Sequence, residues 1–226
     1  MNDATAGLSR SVEDYLKAIY GISEHGDAAS TSAVAGALDV QPASVTGMAK
    51  RLAEAGLVEH VPYKGLRLTE DGTREALRVL RRHRIIETYL CRRLGYAWDD
   101  VHDEAERLEH AVSDRLIDRM AAALEFPSHD PHGAPIPTSG GEIEITDHAT
   151  LADAAPGAEV RVRAVQDEDP ARLRSMAAQG LTPGARLIVS EAQDEGGIVR
   201  VVDPDGRSSR VGRDLARRVY VVPDEG

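Results

Sequence analysis

Apolar residues recur at helical spacing over residues 9–25, where Val12, Tyr15, Leu16, Ile19 and Tyr20 share a face. Ser9 or Ser11 stands at the start as a cap, and Gly26-Asp27 marks the stop. Ser30-Thr31-Ser32 opens a short helix through SAVAGALDV, with Val34, Leu38 and Val40 apolar. After a turn at Val40-Gln41-Pro42 comes a second helix, ASVTGMAKRLAEAG. Pro42 suits its first turn and Gly56 its C-terminal cap. The runs LVEHVPY and LRLTEDG, joined at Lys64-Gly65, predict a hairpin. Helix, helix, helix, hairpin is the order of a winged helix-turn-helix.

Thr69-Glu70-Asp71-Gly72 begins a long helix over about 70–94, with Leu77, Leu80, Ile85, Ile86, Tyr89, Leu90 and Leu94 as its apolar positions. Residues 98–124 read as a second long helix. The stretch FPSHDPHGAPIPTSGG reads as a linker or extended loop, because its prolines and glycines disfavour helix. From about residue 155 the pattern changes to short β-branched runs: EVRVRAV, ARLIVSE, GIVRVVD and RVYVV. One helical piece, PARLRSMAAQG, lies between the first two. About five short strands predict a small barrel. The expected fold is mainly α with small β parts. It comprises a winged helix-turn-helix domain at 1–74, a helical domain at 75–140, a linker at 141–154 and a small β-barrel at 155–226.

Composition adds limits. The chain has 226 residues, of which 42% are hydrophobic and only 4% aromatic, so its cores rest on Leu, Val, Ile and Ala. The single cysteine, Cys91, excludes an intrachain disulfide framework and fits a reducing compartment. No apolar run approaches the roughly 18 residues needed to cross a bilayer. The N-terminus has no basic region followed by an apolar run. The expectation is a cytoplasmic protein without a membrane partner. The formal charge is −11, but it is uneven. Residues 1–100 hold 13 Lys/Arg against 14 Asp/Glu, and residues 101–226 hold 14 against 24. A near-neutral N-terminal half can still present a basic face to DNA.

The acidic half contains His102-Asp103-Glu104-Ala105-Glu106-Arg107-Leu108-Glu109-His110. Read as a helix, it puts His102, Glu106, Glu109 and His110 on one face. The face carries two imidazoles and two carboxylates; the carboxylates repel each other and the polar groups resist burial, which a divalent cation relieves. His83 and Glu87, four apart on the preceding helix, come toward His102 if the two helices pair antiparallel. Carboxylate and imidazole donors without thiolate favour Mn²⁺ or Fe²⁺ over structural Zn²⁺. His60, His129, His132 and His148 have no comparable setting and read as loop or surface histidines, with metal binding by His129-Asp130-Pro131-His132 the alternative, disfavoured by its prolines and short span.

In a winged helix the second helix of the helix-turn-helix enters the major groove. Its N-terminal half offers Gln41, Pro42, Ala43, Ser44 and Thr46, small groups suited to base edges. Lys50 and Arg51 further along, and Tyr63, Lys64 and Arg67 on the hairpin, suit the phosphate backbone.

SVEDYLKAIY, ASVTGMAKRLAEAGLVEH, LTEDG, RRHRIIETYL, VHDEAERLEHAVSDRL and DPHGAPIP together resemble the diphtheria toxin repressor family. The resemblance is to its manganese transport regulator type with a C-terminal SH3-like domain. It implies a metal-dependent homodimeric repressor that binds double-stranded operator DNA through the winged helix. Asp14 would join Glu106, Glu109 and His110 in a primary metal site, with His83, Glu87 and His102 as the ancillary site. Two ions per subunit follow. In iron-responsive relatives cysteine and methionine stand where this chain has Glu106 and Asp14. Two carboxylates there favour Mn²⁺, with Fe²⁺ the alternative. Lys17 occupies a place where two-domain manganese regulators carry glutamate. The SH3-like domain of iron-type members donates ligands to the ancillary ion. Asp169, and next Glu168, stand in the corresponding loop.

The expected function is a manganese-activated repressor of metal-homeostasis genes, not an enzyme. A carboxylate/histidine metalloenzyme is the rival from another class, but the sequence offers no nucleophile motif and no Gly-rich phosphate loop. A DNA binder with a purely structural ion is the other rival.

Overall fold

The computed structural model describes residues 8–23, 28–145, 148–167, 169–191 and 197–224. They form two compact units. The first holds the described residues up to His83, with Glu109–Val112 and Pro137–Ile143. The second holds Arg84–Leu108, Ser113–Ile136 and the described residues from Glu144 onward.

The first unit opens with α1 (Arg10–Ser23), α2 (Thr31–Ala37) and α3 (Pro42–Glu54). Strands β1 (Val58–Val61) and β2 (Gly65–Leu68) form an antiparallel hairpin, with Val58 opposite Leu68. Ser30 caps α2 by accepting from the Ala33 N–H, and Pro42 sits in the first turn of α3. Tyr15, Leu16, Ile19, Val34, Val45, Leu52, Leu57 and Leu66 form the buried core, each large apolar side chain worth about 1.5–3 kcal/mol on burial. Helix α4 (Glu70–Leu94) starts here. Thr69 Oγ1 accepts from the Gly72 N–H, and a Cβ at Gly72 would lie 1.9 Å from the Leu57 carbonyl oxygen. Only glycine lets α4 start so close to the hairpin. The three helices and the hairpin form the predicted winged helix-turn-helix.

The second unit carries the later part of α4, then α5 (His102–Leu108) and α6 (Asp114–Ala123). The continuous helix expected over 98–124 is thus corrected to two short ones. Ser113 ends the continuity by capping α6, its hydroxyl accepting from the Leu116 N–H at 3.3 Å. Serine competes with helical backbone in this way. The Pro/Gly/His stretch is irregular, as expected, but it is packed rather than loose: Asp130, His132 and Ile136 are buried. The Asp130 N–H donates to Ala134 O, the Ile136 N–H to Ser128 O, and the Val165 N–H to His132 O.

A six-stranded antiparallel sheet completes the unit in the order β3-β8-β4-β5-β6-β7. The strands are β3 (Ala149–Thr150), β4 (Glu159–Val165), β5 (Arg186–Glu191), β6 (Ile198–Val202), β7 (Ser208–Gly212) and β8 (Val219–Pro223). Helix α7 (Pro170–Ala178) and the short α8 (Arg213–Ala216) lie along the same stretch of chain. Val162, Val189, Val199, Val201, Val211 and Val221 fill its core with Leu173, Met176 and Leu181. β7, SSRVG, escaped the sequence reading because it has one large apolar residue. Among the described residues no helix is long and apolar enough to cross a membrane.

Candidate metal centre

The first unit brings Asp14 of α1 together with Glu109 and His110 of the turn after α5. Each offers a ligand atom within 4.8 Å of the others. His110 Nε2 lies 2.7 Å from Asp14 Oδ1 and 3.3 Å from Glu109 Oε1. That nitrogen is buried and has hydrogen-bond geometry to neither oxygen. The other ring nitrogen, Nδ1, lies 2.6 Å from Glu13 Oε2. With the proton on Nδ1, Nε2 turns a lone pair toward two carboxylate oxygens, an arrangement that calls for a cation. The donor set is oxygen and imidazole only, and it fits a divalent ion.

Glu109 has no solvent exposure on its side chain. Its Oε1 accepts from the Lys17 ammonium at 2.7 Å, and its Oε2 lies 2.5 Å from His83 Nδ1. Burial pushes the Glu109 carboxyl up, but the His83 hydrogen bond and the Lys17 charge outweigh it, so it is held below the usual range.

The second unit places Glu106 and His102 together on α5, with Glu106 Oε1 3.9 Å from His102 Nε2. His102 Nδ1 lies 3.5 Å from Glu87 Oε1 on α4. Glu87 also meets the His129-Asp130-Pro131-His132 stretch, whose metal binding the sequence offered only as an alternative. Glu87, Asp130 and His132, all buried, offer ligand atoms within 4.8 Å of one another. His132, expected on a loop surface, is 8% exposed. Its Nε2 bonds the Trp98 carbonyl at 2.8 Å, leaving Nδ1 3.8 Å from Glu87 Oε2. Asp130 Oδ1 accepts from the His132 and Ala134 N–H groups, and Oδ2 lies 3.6 Å from Arg84 Nε. Burial and the Glu87 charge push the Asp130 carboxyl up. Burial lowers the His132 imidazole, but the Glu87 hydrogen bond and the Glu87 and Asp130 charges outweigh it and raise its pKa. Cys91, whose thiol is pushed up to about 11 chiefly by burial, is no thiolate donor at neutral pH.

Of the expected ancillary residues, His83 Nδ1 lies 2.5 Å from Glu109 Oε2, and His102 Nδ1 lies 3.5 Å from Glu87 Oε1. Asp169 caps α7: its Oδ1 accepts from the Ala171 N–H at 2.8 Å and its Oδ2 lies 3.6 Å from Arg172. Among the described residues it joins no ligand cluster. Glu168 lies outside the described residues.

On the winged helix, Gln41, Pro42, Ala43, Ser44, Thr46, Lys50 and Arg51 are exposed along α3, and Tyr63, Lys64 and Arg67 along the hairpin. The Thr46 hydroxyl donates to Pro42 O, and Lys50 pairs loosely with Glu54 at 3.9 Å. Gly65 (φ +126°) admits the hairpin beside Ala29, whose carbonyl oxygen a Cβ would meet at 2.1 Å.

Three family models match the chain. The iron-dependent repressor N-terminal DNA-binding domain covers 7–66, the iron-dependent repressor metal-binding and dimerisation domain 69–138, and the FeoA domain 149–223. The iron-dependent repressor IdeR of Mycobacterium tuberculosis is 30% identical over 95% of this chain and 97% of its own. The diphtheria toxin repressor of Corynebacterium glutamicum is 31% identical over 97% and 99%. The chain belongs to the diphtheria toxin repressor family. Among solved structures, a manganese-dependent transcriptional repressor in complex with manganese superposes with a TM-score of 0.88, at 39% identity over 94% of this chain and all of that one. This member of the family is a metal-dependent, DNA-binding transcriptional repressor, with an SH3-like C-terminal domain and no enzymatic role.

Proposed function

We propose that this chain is a homodimeric repressor activated by Mn²⁺ that closes operators of metal-homeostasis genes in the cytoplasm. The observation that carries the reading is His110 Nε2, buried, unbonded and aimed at the oxygens of Asp14 and Glu109. Glu106, four residues before His110 in sequence, completes the set. Three carboxylates beside one imidazole suit Mn²⁺. Fe²⁺ stands higher in the affinity order, so coordination number and cellular supply decide between the two. The similarity to a manganese-dependent repressor supports manganese.

A second ion per subunit has a further candidate site at Glu87, Asp130 and His132, beside the set expected from sequence. All three are buried, and the Asp130 carboxyl is pushed up by burial beside Glu87. A bound cation supplies the positive charge that lets such carboxylates stay ionised.

Asp14 belongs to a DNA-binding domain at 1–74 and Glu106, Glu109 and His110 to a helical domain at 75–140. Ligands drawn from both restrict their relative freedom, and this sets two recognition helices about 34 Å apart in the dimer. Without the ion the competent arrangement is only fractionally populated, and operator affinity falls by that fraction. By linkage, operator DNA tightens ion binding equally.

The test is fluorescence anisotropy with a duplex selected from a random pool in the presence of Mn²⁺, titrated under graded Mn²⁺, Fe²⁺, Co²⁺ and Zn²⁺. Operator affinity should rise with Mn²⁺ at its cellular concentration, and Asp14→Ala should lose that rise while keeping its fold. Equal affinity in chelator overturns the switch, and activation by Fe²⁺ alone assigns the iron reading.

A further inference from the structure

Glu13 is adjacent to Asp14 on α1, yet it is buried at 7% exposure and no sequence signal marked it. Both of its carboxylate oxygens are committed. Oε1 accepts from Arg82 Nη1 of α4 at 2.9 Å, and Oε2 lies 2.6 Å from His110 Nδ1. Arg82 is itself buried, at 8%. The chain therefore runs from an anchored guanidinium through a carboxylate to one imidazole nitrogen. The opposite nitrogen of the same ring faces Asp14 and Glu109.

We propose that Glu13 is a positioning residue for the metal centre, holding the Nδ1 proton of His110 so that Nε2 presents its lone pair to the ion. The inference rests on reading Asp14, Glu109 and His110 as ion ligands. Its physical basis is general. An imidazole has two tautomers and a freely turning ring, and only one tautomer in one orientation aims a lone pair at the ion. A carboxylate on the far nitrogen selects that state in advance and raises the basicity of the ligating nitrogen. Arg82 does the same for Glu13, fixing Oε1 so that Oε2 has one direction left. Glu13 cannot serve as a ligand while it does this, so sequence neighbours divide the work. Asp14 faces the ion, and Glu13 orients the histidine that faces it.

The bland alternative is that Glu13 and Arg82 merely tie α1 to α4. The full chain separates the two through Glu13→Gln and Glu13→Ala. Mn²⁺ dissociation constants come from the electron paramagnetic resonance of free Mn²⁺, and apo melting temperature reports the structural tie. Long-range ¹H–¹⁵N correlation of the Zn²⁺-loaded protein reports the His110 ring. Wild type should show a protonated, slowly exchanging Nδ1. Glu13→Gln still offers an acceptor but loses the charge, and Mn²⁺ should bind about tenfold more weakly; Glu13→Ala should cost up to about 100-fold. In the alanine variant the Nδ1 proton should exchange rapidly. If the alanine variant does not fold, Glu13→Gln alone decides. Unchanged Mn²⁺ affinity and an unchanged Nδ1 signal in a variant with a lowered melting temperature overturn the inference and leave the ion site intact. Wild type that binds no Mn²⁺, or binds it equally after Asp14→Ala, overturns the ion-site reading instead.

Discussion

The Lys17 ammonium lies 2.7 Å from Glu109 Oε1, the same oxygen that stands 3.3 Å from His110 Nε2. A side-chain cation therefore sits against a ligand of the proposed ion. Glu109 is wholly buried, so its charge relies on this partner and on His83. Lys17→Met should lower apo stability by about 1–3 kcal/mol, the cost of leaving a buried carboxylate with one partner fewer. Mn²⁺ should recover most of that loss, because ligand binding to the native state stabilises it by mass action. Urea unfolding with and without Mn²⁺ measures both. An equal loss in the two conditions would mean that Lys17 and the ion do not share Glu109.

The depressed Glu109 pKa makes a directional forecast for acid. Such a carboxyl contributes stability that is present above its unfolded pKa, about 4.3, and is lost as pH falls through the lower folded value. Below about pH 4.3 the wild-type apo protein should therefore lose stability more steeply than Glu109→Gln, whose amide does not titrate. Urea midpoints between pH 6 and pH 3 compare the slopes. Parallel curves would show that Glu109 is not held ionised.

Much of this was legible because periodicity records burial. The α1 face of Tyr15, Leu16 and Ile19, the hairpin at Lys64-Gly65 and the long α4 all follow from one-dimensional patterns. The candidate ligands Glu109 and His110 were legible as residue types, but the break after Leu108 was not. A helix-compatible composition concealed Ser113 as a cap. His132 shows a different failure. Nothing near it in sequence signals burial, since its partners come from α4 and from Trp98, 34 residues away along the chain. Glu13 was hidden for a related reason: a carboxylate beside Asp14 on a surface-like stretch gives no sign that Arg82, 69 residues later, will enclose it.

Trp98, the single tryptophan, reports on the second cluster: its ring lies 5.5 Å from that of His132, and its carbonyl bonds His132 Nε2. Mn²⁺ titration should change Trp98 emission, and His132→Ala should abolish the saturable change. Asp130→Asn tests the same site from stability. A carboxyl whose folded pKa is raised is stabilising below its unfolded value, about 3.9, and becomes a cost as pH rises through the folded one. Asparagine keeps the acceptor for the His132 and Ala134 N–H groups without the charge. The apo variant should then be more stable at pH 7 by about 1 kcal/mol, yet lose the Mn²⁺-dependent change at Trp98. A less stable apo variant, or an undiminished emission change, would remove Asp130 from the site.

The exposed residues of α3 and the hairpin divide by the part of a duplex that their chemistry suits. Arg67 and Lys64 lie on the hairpin, and Ser44 and Thr46 lie in the first turns of α3. A guanidinium on phosphate adds affinity without reading sequence, and it releases about one counterion. Arg67→Ala should weaken Mn²⁺-loaded binding to all duplexes alike and reduce the slope of log affinity against log salt by about 1. Ser44→Ala should instead leave the slope unchanged and shift preference at one base position, by about 1–3 kcal/mol. Anisotropy titrations from about 50 to 300 mM salt, on the selected duplex and on single-base variants of it, provide both readings. If Arg67→Ala altered base preference while the salt slope held, the hairpin would be a sequence reader and α3 would lose its sole claim to the groove.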